Sequence, residues 1–220
     1  NDELAKKRHN SFGKTEMLYV IEADPGSTRI SGFNQQVNQQ IHGDKMNSGH
    51  IMDILNRENA NAGDVFFLPA GRVHTIGKGL LVAEIQQTSD ITYRIYDFDR
   101  VDANGHKREL HTQEALAAID YKHYPDYKTE YQPQKDETVH LGSGPDGTTK
   151  GLDFDQSAAK DYSNLDSFVI YVCLEGEFTL KANGADYPVK MGDCILLPKI
   201  IEEVELATVS GFKILESYIE

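Results

Sequence analysis

Tryptophan is absent from this chain of 220 residues, cysteine occurs twice, proline seven times, and cations number 22 against 35 carboxylates. Each shortage excludes something. Two thiols, Cys173 and Cys194, do not make a disulfide framework in a chain this long. Both lie in apolar, strand-like runs, where a cross-strand disulfide is geometrically open and buried free thiols in a reducing cytoplasm are the preferred reading. A formal net charge of −13 gains nothing from counterion release, so nucleic acid is not an expected partner; most of these carboxylates read as a solvated surface. No apolar run approaches membrane-spanning length and no signal-peptide pattern opens the chain, which leaves no membrane partner to expect and a cytoplasmic location as the expectation.

Strand signals dominate what is present. Thr15 to Ala23 is apolar on both alternating faces and suits a strand buried on two sides, ended by the turn Asp24-Pro-Gly-Ser27. Weak helical spacing marks 34–41 and 49–56, and strands are expected over 64–68, 80–87 and 91–97. Thr112 is the expected cap of a helix over 113–119, and the Tyr-, Pro- and Lys-rich stretch 121–151 shows no period. Ser167 to Leu174, Glu177 to Lys181, Asp193 to Pro198 and Phe212 to Ile219 open a second β region, with Leu174-Glu-Gly-Glu177 as a turn between the first two. The expected organisation is a β barrel over 1–100, a helix and extended connection over 101–151, and a second β domain over 152–220.

The two β regions echo each other. Gly63-Asp-Val-Phe-Phe-Leu-Pro69 and Gly192-Asp-Cys-Ile-Leu-Leu-Pro198 share a pattern, an internal repeat that points to two barrels in tandem. The copies part after the proline: the first continues Ala-Gly71-Arg-Val-His74, the second places Ile200 and Glu203 where Gly71 and His74 stand. A Pro-x-Gly turn re-aims the chain so that the histidine three residues on can point into the mouth of a sheet. The spacing Gly, five residues, Pro, one, Gly, two, His resembles the second motif of the cupin barrels, where the histidine is usually a metal ligand. The second copy, lacking it, is expected to be metal-free.

Glu16, heading the most buried-looking strand, needs a cation or hydrogen-bond donors, as a metal ligand or as a salt-bridge partner of Lys14 or Arg94. Alternation puts Glu84, Gln86 and Thr88 on one strand face, and Arg94 too if parity continues. A glutamate and an arginine there are either a proton-transfer group and an anion clamp or a solvated ion pair. Arg100 is a surface charge or a phosphate contact. The other seven histidines, His9, His106, His111 and His140 among them, read as surface.

Gly13-Lys-Thr-Glu16, the run Gly63 to His74, and Ala83-Glu-Ile-Gln-Gln-Thr-Ser-Asp-Ile-Thr-Tyr-Arg94 together closely resemble the bacterial type I phosphomannose isomerases over residues 1 to about 120. The resemblance implies an all-β tandem cupin (double-stranded β-helix) fold with short helical insertions, its second barrel degenerate. It implies one zinc held by a Gln-x-His pair, a Glu and a His, with Glu16 and His74 as two of the ligands. It implies Arg94, Glu84 and Lys14 as catalytic residues, and Lys14, Arg94 and Arg100 as contacts to a hexose phosphate. The activity implied is interconversion of mannose 6-phosphate and fructose 6-phosphate through an enediol, by a monomer or weak homodimer. The alternative is a non-catalytic sugar-phosphate-binding cupin or a truncated structural paralogue. No Gln-x-His pair stands ahead of Glu16 in these residues, and its expected place is just before Asn1.

Overall fold

The computed structural model describes residues 1–144 and 146–219, and the chain divides between Lys128 and Thr129 into two units. The first opens with α1 (Asp2–His9), where the Asn1 side chain accepts from the Leu4 N–H at 2.9 Å. Acids in its first turn and bases in its last complement the helix dipole. Then follow β1 (Glu16–Ala23), β2 (Thr28–Phe33), α2 (Gln39–Asn47), a 3-10 turn (Ile51–Asp53), β3 (Leu55–Asn59), β4 (Val65–Leu68), β5 (His74–Thr75), β6 (Leu80–Gln86) and α3 (Thr112–Leu116). These strands form two three-stranded antiparallel sheets, ordered β4-β1-β6 and β3-β2-β5.

β1 is central in its sheet, and its first five residues are all buried, as a run apolar on both faces requires. Its register pairs Glu16 with Leu68 and Gln86, and Leu18 with Phe66 and Glu84. Directly paired residues share a face, so Leu18, Phe66, Leu68 and Val20 form one apolar cluster with Glu16 at its end. The second sheet closes over it: the Arg29 guanidinium on β2 lies 3.8 Å from the centroid of the Phe66 ring on β4.

The second unit holds β7 (Thr138–Gly144), β8 (Gly147–Phe154), β9 (Ala158–Asp161), β10 (Val169–Ala182), β11 (Ala185–Lys190), β12 (Cys194–Leu197), β13 (Glu203–Ala207) and β14 (Phe212–Tyr218). They run in the order β7-β8-β14-β10-β13-β9, with β11 and β12 also on β10. Its core gathers Leu152, Tyr171, Leu180, Leu206 and Ile214.

Several local expectations change. Leu174 to Glu177 is not a turn: β10 runs straight through, with a bulge between Cys173 and Glu175 and Gly176 at φ 73°. A bulge bends a strand without ending it, so β10 pairs with β12 and β14 in one half and with β11 and β13 in the other. Residues 138–144 and 147–154, all but the last three inside the stretch read as aperiodic connection, pair as an antiparallel hairpin. Residues 91–97 are not a strand; the ladder of β6 stops at Gln86. The cap of α3 is His111 rather than Thr112, with no side-chain capping bond. Both cysteines are free, Cys173 buried and Cys194 exposed, so only one fits the buried-thiol reading. Cys194 pairs with Val172, which puts it on the opposite sheet face from Cys173.

Candidate active site

The turn after β4 is held by its own chemistry. The Arg72 N–H donates to the Pro69 carbonyl at 2.9 Å, and Gly71 sits at φ 97°. A Cβ on Gly71 would lie 2.4 Å from the Ala118 carbonyl oxygen, while the Gly71 carbonyl accepts from the Asp120 N–H at 2.9 Å. Only glycine fits there. The Arg72 guanidinium packs over the Tyr124 and Tyr127 rings, 4.3 and 4.9 Å from their centroids, and fixes the far side of the turn.

The turn delivers His74 to β5, opposite Ser31 of β2 and against Glu16 of the other sheet. His74 Nδ1 lies 2.9 Å from the Arg72 carbonyl oxygen, which can only accept, so Nδ1 carries the proton and Nε2 presents its lone pair. Burial pushes the His74 pKa below its usual value, against the pull of that carbonyl bond. Nε2 stands 2.9 Å from Glu16 Oε2, an atom buried without a hydrogen-bond donor, on a side chain 2% exposed. Two acceptors facing at that distance repel unless a cation lies with them. An imidazole nitrogen and a carboxylate oxygen are donors that fit a divalent metal. Among the described residues no group of three or more His, Cys, Asp or Glu comes together, so this pair supplies two ligands.

Lys14 binds the other oxygen of Glu16 and lies 3.3 Å from Glu84 Oε1, linking the two carboxylates. Both salt-bridge and metal-ligand readings of Glu16 thus have a partner in place, though the salt bridge runs to Lys14 and not to Arg94. Arg94 is held in the loop after β6: its N–H donates to His111 Nδ1 at 3.1 Å and its Nη1 to the Glu109 carbonyl at 3.0 Å. Arg100 donates to Asp97 at 2.7 Å.

Glu16, His74, Lys14, Arg94 and Arg100 line one cleft of about 290 Å³. Glu84 is not in its lining and reaches it through Lys14. Arg72, Asp97 and Arg108, which the sequence reading did not single out, line it too. Arg108 lies in a polar segment with no periodic signal, and only its contact with Asp97 reveals it. Five cationic side chains and two carboxylates thus face the cleft in a chain of net charge −13. The cleft is locally cationic. One histidine departs from the surface reading: His42 of α2 is fully buried between Phe33 and Tyr121.

A rolled β barrel whose Pro-x-Gly turn sets a histidine against a carboxylate on the opposing sheet defines a cupin. The family model for the mannose-6-phosphate isomerase cupin domain matches residues 154–218. The mannose-6-phosphate isomerase ManA of Bacillus subtilis is 32% identical over 207 residues, covering 94% of this chain and 65% of its own length. The probable mannose-6-phosphate isomerase GmuF of the same organism is 30% identical over 221 residues, covering 97% of this chain and 68% of itself. The crystal structure of the Bacillus subtilis mannose 6-phosphate isomerase superposes with a TM-score of 0.88 at 29% identity, over all of this chain and 69% of that one. This chain belongs to the mannose-6-phosphate isomerase family, and it spans about two thirds of the length of these relatives.

Proposed function

We propose that the protein is a zinc-dependent aldose–ketose isomerase that interconverts mannose 6-phosphate and fructose 6-phosphate through an enediol. The observation that carries this reading is the facing pair of lone-pair donors, Glu16 Oε2 and His74 Nε2, in a cationic cleft of a family member. Those two residues would hold the metal, with further ligands from outside the described residues. Zinc bound there would stabilise negative charge developing on the sugar oxygens.

The remaining groups have separate tasks. Lys14 and Glu84, 3.3 Å apart, are the pair to move the proton between C1 and C2, with Lys14 the member exposed to the cleft. Arg94, anchored by Glu109 and His111, holds the ring-opened sugar and offsets charge on the enediolate. Arg100 attracts the phosphate. The second barrel, with Glu203 in the histidine position, holds no metal. We assign the enzyme to the cytoplasm as a monomer or weak homodimer, with no membrane or nucleic-acid partner.

Zinc analysis of the purified protein alongside an isomerase assay tests this. Zinc and activity are expected to appear together, and His74→Ala to remove both, activity falling at least about a hundredfold. Zinc-loaded protein that leaves mannose 6-phosphate unchanged overturns the substrate. The two-ligand count also suits a sugar-phosphate binder without turnover, which would show mannose 6-phosphate binding with neither zinc nor activity.

A further inference from the structure

The loop after β6 gathers more cationic charge than one phosphate contact requires, and it does so around a single carboxylate. Asp97, 6% exposed, accepts from Arg100 Nη2 at 2.7 Å through Oδ1 and from Arg108 Nε at 2.8 Å through Oδ2; Arg108 Nη2 also reaches Oδ1. The Asp97 backbone carbonyl takes two further donors, Arg100 Nε at 3.2 Å and the Arg100 N–H at 3.0 Å. Phe98 and Asp99 both sit at φ 54°, a left-handed geometry that folds the chain back so that Arg100 meets Asp97. Asp102 then closes the tip by accepting from the N–H groups of Asn104 and His106, and the bridge between Val101 and Lys107 returns the chain to Arg108. Among the described residues neither guanidinium gives its Nη1 to a protein acceptor.

We propose that Asp97 clamps Arg100 and Arg108 into a two-guanidinium seat for the phosphate of the substrate, with Arg108 a phosphate-binding residue and Asp97 a positioning residue. This rests on the hexose-phosphate reading of the same cleft and adds what selects the phosphorylated sugar over the free one. One carboxylate between two guanidiniums cancels one charge and leaves one, while fixing both planes. A phosphate dianion then meets preorganised forks and not two flexible side chains. The Arg108 and Arg100 hydrogen bonds hold the Asp97 carboxyl at a pKa of about 2, so the clamp stays ionised at neutral pH.

Isothermal titration of the 220-residue protein with inorganic phosphate, mannose 6-phosphate and mannose tests the seat. Arg108→Gln and Arg100→Gln are each expected to weaken phosphate and mannose 6-phosphate by about tenfold, leaving mannose unaffected. Asp97→Asn is expected to weaken the same two ligands and Asp97→Glu to recover part of the loss, which a merely structural role would not do. Lys107→Ser removes a nearby cation that does not line the cleft, and is expected to change nothing. Wild-type binding of mannose 6-phosphate that survives Arg108→Gln, or falls as far in Lys107→Ser, overturns the seat alone. Wild-type protein that binds neither phosphate nor mannose 6-phosphate overturns both the seat and the hexose-phosphate reading. Phosphate binding lost in Arg108→Gln, with no affinity for mannose 6-phosphate, overturns that reading and keeps an anion seat of another substrate.

Discussion

Glu84 and Glu216 occupy the same place in the two copies of the internal repeat, and everything around them differs. The match is one of register. Leu68 pairs with Glu16 as Leu197 pairs with Val169, and Glu84 pairs with Leu18 as Glu216 pairs with Tyr171. The position of Glu16 is therefore Val169 in the second unit, as that of His74 is Glu203. Glu84 is exposed on an open sheet and leans on Lys14. Glu216, 1% exposed, is enclosed: it accepts from Lys160 Nζ at 2.9 Å and from the Tyr162 hydroxyl, which also bonds Tyr171. Burial, first, drives both tyrosine pKa values far above the usual range, so these hydroxyls remain protonated donors.

The same contrast extends to every buried side-chain polar atom without a hydrogen-bond partner among the described residues. All of them lie in the first unit: on Glu16, Arg29, Ser31, His42, Glu58 and Arg72. Native interiors satisfy nearly all such atoms, and the exceptions concentrate where a ligand, ion or water belongs. Of these residues Glu16 and Arg72 line the cleft, while among the described residues of the second barrel no buried side-chain polar atom is left unpartnered.

The largest effect that probes this difference lies in the second unit. Lys160→Met leaves Glu216 buried with only Tyr162 to serve it, and is expected to cost about 3 kcal/mol in denaturant unfolding. Adding Glu216→Leu should recover much of that loss, since the pair is costly to break but replaceable as a whole. A single variant as stable as the parent would mean the cluster is not a sealed ion pair, and the two barrels would be less different than they look.

The sequence shows the comparison unevenly. Gly63 to His74 and its failing echo at Gly192 to Glu203 are legible because the turn constrains residue types at fixed spacing: Gly71 has no room for a side chain, and Ile200 shows that its copy has no such demand. β1 and β14 are legible as apolar runs. Lys14, Glu16 and His74 are individually visible in the sequence but become a site only through the pairing of β1 with the distant β4, Glu16 opposite Leu68. Arg94, Arg100 and Arg108 lie in a loop with no period, where alternation from β6 misleads because the ladder has already ended. The Glu216 cluster is assembled from β10, β14 and the end of β9 with Tyr162 just beyond it, and no local pattern announces a contact among these three segments.

A smaller effect separates the two turns. Gly71→Ala puts a Cβ against the Ala118 carbonyl in a backbone that L residues avoid, and should lower stability by about 1–3 kcal/mol. Ile200→Gly, at a position 81% exposed in the other copy, should change it by less than about 1 kcal/mol. Equal losses in thermal unfolding would remove the argument that only one of the two turns is built to aim a side chain.

The smallest effect is a pH dependence confined to one unit. His42 is fully buried with neither ring nitrogen bonded, and burial lowers its pKa from the usual value near 6.5. The unfolded chain therefore binds this proton more readily than the folded one, and stability rises with pH across the window between the two values. The contribution is fully present above about 6.5 and is lost progressively as pH falls toward the folded value. His42→Phe keeps an aromatic ring against Phe33 and Tyr121 and cannot titrate, so it should flatten this part of the stability curve. His74, also lowered by burial, titrates in the same unit, which is why the difference between parent and variant is the quantity to measure. The only histidine of the second unit, His140, is exposed and hydrogen-bonded to Ser143 Oγ. A slope below about pH 6.5 that persists unchanged in the variant would show that the unpaired groups of the first unit do not include this ring.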